Sequence, residues 1–109
     1  MYALLFFGIG GDMPKENAYQ SELKKKILNL LPGCVVLKND PTWIQGFPDL
    51  TILYKDKWAV LEVKKSAKEP HRPNQDYYID KMNEASFGSF IFPENEKEIL
   101  DELQRALEC

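Results

Sequence analysis

The chain has 109 residues, a net charge of −3 and a hydrophobic fraction of 44%, which fit one folded domain over residues 1–109. Two cysteines and one histidine exclude a disulfide framework and a cysteine-histidine zinc pattern, and they predict a reducing, cytoplasmic location. No apolar run reaches the roughly 18 residues that a membrane span needs, so no membrane partner is expected.

The charges are distributed unevenly along the chain. Residues 55–72 carry six Lys or Arg against three acids, whereas residues 93–109 carry six acids against two bases. The net charge alone does not indicate a nucleic-acid partner. The basic middle of the chain nevertheless allows a phosphate-bearing substrate.

The N-terminal segment begins with an apolar octet, MYALLFFG. It fits an edge strand, and it lacks the basic start and the cleavage site of a secretory signal. Another interpretation is that Gly10–Met13 can be encoded as GGA-GGA-GAT-ATG, which resembles a ribosome-binding site before a start codon. Residues 1–12 are therefore expected to be a peripheral or non-native extension, with Met13 as a candidate start.

The remaining pattern alternates between helical and extended periodicity. A first helix is predicted over 14–31, with an apolar stripe formed by Tyr19, Leu23, Ile27, Leu30 and Leu31. Strands are predicted over 34–37, 49–54, 58–64 and 88–92, and two further helices over 73–85 and 95–107. This order predicts an α/β fold with a mixed central sheet of about four strands, flanked by helices.

The two middle strands are predicted to form a hairpin with one apolar face. The other face carries Asp49 on the first strand and Glu62 and Lys64 on the second, because side chains alternate along a strand. A two-residue loop at 55–56 would place Asp49 opposite Glu62, whereas a loop at 56–57 would place it opposite Lys64. A three-residue loop would separate the acids, and no Asn-Gly signal fixes the turn.

Two neighbouring carboxylates repel each other unless a cation lies between them. Mg²⁺ prefers such oxygen ligands and keeps several waters, so the pair predicts a divalent-cation site. Lys64 would then hold a phosphate oxygen or orient the attacking water. The competing interpretation is a Glu62–Lys64 surface ion pair, worth at most about 1 kcal/mol.

These residues resemble a known signature. Gly46-Phe47-Pro48-Asp49 followed by Glu62-Val63-Lys64 is similar to the motif of the PD-(D/E)XK nuclease superfamily. Pro73-Asn74-Gln75 resembles the P-x-Q segment of its VRR-NUC branch, and the resemblance extends toward Holliday-junction resolvases. It covers roughly Glu16 to Leu107, and the element order agrees with the restriction-endonuclease-like core.

The resemblance implies hydrolysis of DNA with Mg²⁺ or Mn²⁺ as cofactor. Asp49 and Glu62 would hold the metal, with the Val63 carbonyl as a further ligand, and Lys64 would stabilise the developing charge. The family usually has another acid on the first helix, for which Glu16 and Glu22 are the candidates. Glu16 is chosen because it shares the apolar stripe, whereas Glu22 lies off it. The competing view is a first-turn glutamate that favours the helix dipole.

Gln75 is expected beside the metal site, since it shares a helical face with Tyr78, Ile79 and Met82; a surface amide is the alternative. Nucleic-acid contacts are predicted at Lys65, Lys68, Arg72 and Trp43. The loop lysines and arginine could instead simply be solvated. Trp43 could stack on a base or fill a gap in the core.

The expected partner is DNA, cut by an endonuclease that is either structure-selective for junctions or flaps or of the homing type. A chain this short would favour a homodimer for cutting two strands. Its size also suits a phage protein acting in the host cytoplasm. The alternatives are a non-catalytic DNA-binding module on the same fold and an interaction domain that uses the acidic C-terminal helix.

Overall fold

The computed structural model describes residues 12–108, and their side chains from residue 17 onward. The expectations for residues 1–11 lie outside this part of the chain, and a translation start at Met13 stays a prediction. Residues 12–108 contain three α-helices: α1 (Asp12–Leu30), α2 (Gln75–Ala85) and α3 (Glu96–Glu108). The strands are β1 (Val35–Lys38), β2 (Leu50–Tyr54), β3 (Lys57–Val63) and β4 (Gly88–Ile91).

The four strands form one mixed sheet in the order β1-β2-β3-β4. β1, β2 and β3 pair antiparallel, and β4 pairs parallel to β3. A parallel pair needs a crossover connection, which α2 supplies here. The predicted α/β fold, with a mixed four-stranded sheet flanked by helices, is therefore confirmed.

One face of the sheet packs against α1 and α3. Leu23 and Ile27 of α1 and Leu103 of α3 are fully buried in one cluster with Ile52 and Leu61 of the hairpin. The predicted stripe of the first helix and the predicted apolar face of the hairpin are both confirmed. Their burial supplies the main favourable term for folding.

A polar contact fixes α1 against α3. The Tyr19 hydroxyl donates a 2.9 Å hydrogen bond to the Glu96 carboxylate, and the Lys26 ammonium pairs with the same group. Burial and the Glu96 carboxylate both raise the pKa of Tyr19, so its hydroxyl stays a donor at neutral pH. This contact holds the N-terminal half of α1 over the sheet, near the ends of β2 and β3 where the acids lie.

On the opposite face of the sheet, α2 covers β3 and β4. Gly88 permits this packing, because a Cβ there would lie 3.1 Å from the backbone of Asn83 and of Ile79. The helix was expected to include Pro73, but it begins at Gln75. Asn74 has a left-handed backbone (φ 72°), and the Gln75 amide donates to the Arg72 carbonyl.

Residues 72–75 therefore form a turn with proline second and a left-handed asparagine third. This is the residue pattern of a type II turn, whose left-handed third residue cannot be part of a helix, so α2 begins after Asn74. Among the described residues, no helix is both long and apolar enough to cross a membrane.

Replacing Leu23 with alanine tests the packing of α1. Leu23 is fully buried, so Leu23→Ala should lower the free energy of unfolding by about 2–5 kcal/mol through lost burial and a cavity. Leu28 on the same helix is 39% exposed, and Leu28→Ala should cost less than about 1 kcal/mol. Urea unfolding of both variants measures the difference, and equal losses would contradict this orientation of α1.

Candidate active site

The register of the β2–β3 hairpin brings the two predicted acids together. The strands are joined by the two-residue turn Lys55-Asp56, and Leu50 pairs with Leu61, which places Asp49 opposite Glu62. The Val63 backbone amide donates a 2.9 Å hydrogen bond to Asp49 Oδ2. Of the loops considered from the sequence, the structure has the one at 55–56.

Both acids line a cleft of about 640 Å³. The cleft also contains Lys64 and Gln75, so four of the five predicted catalytic residues lie together. The fifth, Glu16, belongs to α1, but its side chain lies outside the described part of the chain, and its role stays a prediction. The other lining residues are Asn17, Gln20, Lys38, Asn39, Pro41, Gln45, Gly46, Phe47, Glu69, Arg72 and Pro73.

A buried polar network connects the predicted residues of β3 to those of α2. Lys64 Nζ donates to Gln75 Oε1 at 2.7 Å, and Gln75 Nε2 donates to Glu62 Oε2 at 2.9 Å. Glu62 is 4% exposed and Lys64 is 2% exposed. The interpretation of Glu62 and Lys64 as a surface ion pair is therefore wrong, and so is that of Gln75 as a surface amide.

Gln75 orients both charged groups at once. Its Oε1 accepts hydrogen bonds from Lys64 and from the Arg72 backbone amide, and its Nε2 donates to Glu62. The oxygen of the amide is therefore an acceptor only and the nitrogen a donor only. A buried network of this kind is stable only when its members are satisfied. Gln75 thus separates the Lys64 ammonium from the Glu62 carboxylate, whose charged atoms lie 4.0 Å apart.

Glu69 is a site residue that sequence reasoning missed. Its Oε1 accepts from the Lys65 backbone amide at 2.7 Å, and its Oε2 lies 3.9 Å from Lys64 Nζ. Lys64 also donates to the Pro70 carbonyl at 3.2 Å. No local pattern marks Glu69 in the sequence, because its loop reaches the cleft only after folding over the end of β3.

Gly46 joins the loop before Asp49 to the turn before α2. Its φ is 86°, and a Cβ there would lie 2.6 Å from both the Asn74 Cβ and the Pro73 carbonyl oxygen. Only glycine adopts this backbone and permits this approach without strain. Phe47 adds an edge-to-face contact with Tyr78 at 5.4 Å. The two separated segments of the signature are therefore in direct contact.

Asn39 holds the Pro48–Asp49 peptide from the β1 side. Its backbone amide donates to the Asp49 carbonyl at 2.7 Å, and its Nδ2 donates to the Pro48 carbonyl at 2.8 Å. The same amide group bonds to the Thr51 hydroxyl. Sequence reasoning placed Asn39 in a loop and gave it no role, because its partners lie nine or more residues away.

Asp49 is electrostatically strained. Burial raises the pKa of its carboxyl group above the ordinary value, and this effect exceeds the opposing ones. Hydrogen bonds from the Val63 amide and with the Glu62 carboxyl, and the charges of Lys38 and Lys64, act in the lowering direction. A cation in the cleft would favour the charged carboxylate, since an opposite charge stabilises the ionised form.

The residues predicted to contact DNA are distributed unequally. Arg72 lines the cleft, whereas Lys65, Lys68 and Trp43 lie outside its lining. Trp43 is 83% exposed, so the alternative that it fills a gap in the core is wrong. Its loop is held by Asp40, which accepts from the Thr42 amide and hydroxyl at 2.9 and 2.7 Å.

The donor set of the cleft suits a hard divalent cation that keeps much of its hydration. Asp49 and Glu62 supply carboxylate oxygens, which is the ligand type that Mg²⁺ prefers. Within residues 17–108, no group of three or more His, Cys, Asp or Glu side chains could enclose a metal. Asp49 and Glu62 are therefore the residues that would hold Mg²⁺ or Mn²⁺, with waters as further ligands.

Comparisons with known proteins add no family assignment. A scan against family models gave no match, and searches of curated proteins and of solved structures gave none either. The resemblance to PD-(D/E)XK nucleases stays a prediction that rests on the residues of this chain.

Replacing Asp49 with asparagine tests the electrostatic strain. Because the folded pKa of Asp49 is raised, the native state loses stability as pH rises from the ordinary aspartate range through that pKa. Asparagine carries no charge, so Asp49→Asn does not lose stability in this way. Its side-chain oxygen can still accept the hydrogen bond from the Val63 amide. Without divalent cations at pH 7, it should raise the free energy of unfolding by on the order of 1 kcal/mol.

The matched control is Asp56→Asn in the exposed hairpin turn, which should change stability by less than about 0.5 kcal/mol. Chemical unfolding at pH 7 and at pH 4 measures both variants, and the advantage of Asp49→Asn should shrink at pH 4. A large loss of stability in Asp49→Asn at pH 7 would contradict the conclusion that burial makes the charge of Asp49 unfavourable.

Proposed function

We propose that this chain is a metal-dependent endonuclease that hydrolyses DNA phosphodiester bonds. The observation that carries the proposal is the convergence of Asp49, Glu62 and the buried Lys64 in one cleft, bridged by Gln75. Two carboxylates and one ammonium held at a single position are the groups that metal-assisted phosphate hydrolysis uses. Their burial distinguishes them from the solvated charges of an ordinary surface.

Asp49 and Glu62 are the residues that would hold Mg²⁺ or Mn²⁺, with the Val63 carbonyl as the expected further ligand. A bound cation would polarise the phosphate and lower the pKa of a coordinated water. The contribution of the protein is to hold the two carboxylates in fixed positions. Val63 orients Asp49 through its amide, and Gln75 orients Glu62, so neither carboxylate has to reorganise when substrate binds.

Lys64 would stabilise the charge that develops on the phosphate. Its ammonium has three N–H bonds, of which Gln75 and the Pro70 carbonyl accept two. Glu62 Oε2 and Glu69 Oε2 lie 4.0 and 3.9 Å from Nζ, which is too far for a hydrogen bond, so the third N–H could donate to a phosphate oxygen that enters the cleft. Since Lys64 is almost fully buried, such a contact would act at low effective dielectric, where it is stronger than in water.

A cleavage assay with purified protein tests the proposal. In Mg²⁺ or Mn²⁺ the wild type should cut DNA, and Glu62→Gln should lower the rate by about 100-fold or more because one metal ligand loses its charge. The amide introduced by this substitution could still accept the hydrogen bond from Gln75, so the fold should be retained. Substrates are linear, supercoiled, single-stranded, flap and four-way-junction DNA, plus single-stranded RNA.

The control is Glu98→Gln on the exposed side of α3, which should cut at the wild-type rate. Equal activity in wild type and Glu62→Gln would refute the assignment of the site. Salt-sensitive DNA binding without cutting would favour the non-catalytic module, and neither activity would favour an interaction domain. Light scattering tests the proposed homodimer, and cell fractionation tests the proposed cytoplasmic location.

The exposure of Trp43 supports the proposal that the substrate is a nucleic acid with unpaired bases. Tryptophan is mostly buried in proteins, yet its indole here is 83% exposed on a loop whose neighbours Pro41 and Gln45 line the cleft. The Trp43 amide donates to the Asp40 carbonyl, so the backbone that carries the ring is held. An aromatic ring presented this way can stack on a flipped or single-stranded base.

Trp43→Leu should weaken binding of single-stranded and flap DNA by about tenfold, the lower part of the range for one lost base stack. Trp43→Phe should retain most of the affinity, because it keeps an aromatic face. Binding of blunt duplex DNA should change little in either variant. Fluorescence anisotropy in Ca²⁺ measures all three substrates, and an equal loss with leucine and phenylalanine would exclude stacking.

A further inference from the structure

Gln20 brings an unused polar atom to the cleft. It lies on α1, is 7% exposed, and lines the cleft with Asp49 and Glu62. Its Oε1 is shielded from solvent and accepts no hydrogen bond. In the described part of the chain it is the one buried side-chain nitrogen or oxygen atom without a partner. Buried polar groups normally have a hydrogen-bond partner. An unpaired oxygen beside a cleft of this size is therefore expected to contact a bound ligand.

We propose that Gln20 is a further ligand of the metal site, and that its Oε1 coordinates the divalent cation held by Asp49 and Glu62. This inference rests on the proposed function. Amide oxygens are hard ligands of the same class as carboxylates, and an oxygen atom without a donor nearby can only be satisfied by a cation or a hydrogen-bond donor.

The charges of the site favour a neutral third ligand. Asp49 and Glu62 together balance the charge of one divalent cation, so an amide adds an oxygen without adding negative charge. Gln20 also comes from α1, whereas Asp49 directly precedes β2 and Glu62 lies in β3. The cation would therefore connect the helix to the hairpin.

Two substitutions separate ligation from packing. Gln20→Met keeps a similar length but has no carbonyl oxygen, and Gln20→Glu adds a charged oxygen at the same place. Gln104→Met on α3 is the control, because it makes the same chemical change away from the cleft. Binding of MnCl₂ to the full chain without DNA is measured by electron paramagnetic resonance of free Mn²⁺, together with water-proton relaxation of the bound ion.

Gln20→Met should raise the Mn²⁺ dissociation constant about tenfold, and Gln20→Glu should lower it about tenfold. In Gln20→Met the relaxation enhancement per bound Mn²⁺ should increase, since a water takes the vacated position. The apo melting temperature of Gln20→Met should be equal to the wild-type value or higher, because an unpaired buried oxygen is removed. Gln104→Met should bind Mn²⁺ like the wild type.

An unchanged dissociation constant and relaxation in Gln20→Met would overturn this inference while leaving the two-carboxylate site intact. A lower apo melting temperature in Gln20→Met would also overturn it, because the amide would then be a structural hydrogen-bonding group. If the wild type and Glu62→Gln bind Mn²⁺ equally weakly, the proposed metal site fails, and the role of Gln20 fails with it.

Discussion

The pairing of β2 with β3 across a two-residue turn is the constraint on which the site depends. Side chains alternate between the faces of a sheet, so a change of one residue in the turn would move one acid to the opposite face. With Lys55 and Asp56 as the turn, Leu50 faces Leu61 and the acids fall at adjacent positions on one side. The same register places the apolar side chains of both strands under α1 and α3.

The second strand of the hairpin is unusual because both of its faces are buried near its end. Leu61 and Val63 contact the core, while Glu62 and Lys64 lie beneath α2 and the loop before it. Burying two opposite charges is costly unless their hydrogen bonds are satisfied. Gln75 satisfies both, which explains how a charged pair can exist inside a domain of this size.

The site combines strain with rigidity. Asp49 is held by the Val63 amide and, through its backbone, by Asn39, while burial makes its charge unfavourable. Gln20 adds an unpaired oxygen to the same cleft. Functional sites commonly carry such unfavourable features, and the surrounding structure maintains them. Here the surrounding contacts are the Gly46 approach to Pro73 and Asn74 and the link from α1 to Glu96.

The sequence by itself determined the order of helices and strands, the apolar faces and four of the five predicted catalytic residues. These features are local: the period of the hydrophobic pattern distinguishes helix from strand, and alternation assigns Asp49 and Glu62 to the polar face. Pro73-Asn74 was also readable, since this pair is typical of a type II turn, but the proline was assigned to the helix instead.

Only the tertiary structure decided the register, the burial of Glu62 and Lys64, and the presence of Glu69, Asn39 and Gln20 around the acids. The turn at Lys55 and Asp56 lacks a strong sequence signal, so its length followed from which register buries both apolar faces. Gln20 and Glu69 reach the cleft through the packing of α1 and the path of the loop after β3. Those are contacts between distant residues, and a pattern that repeats every two or four residues carries no information about them.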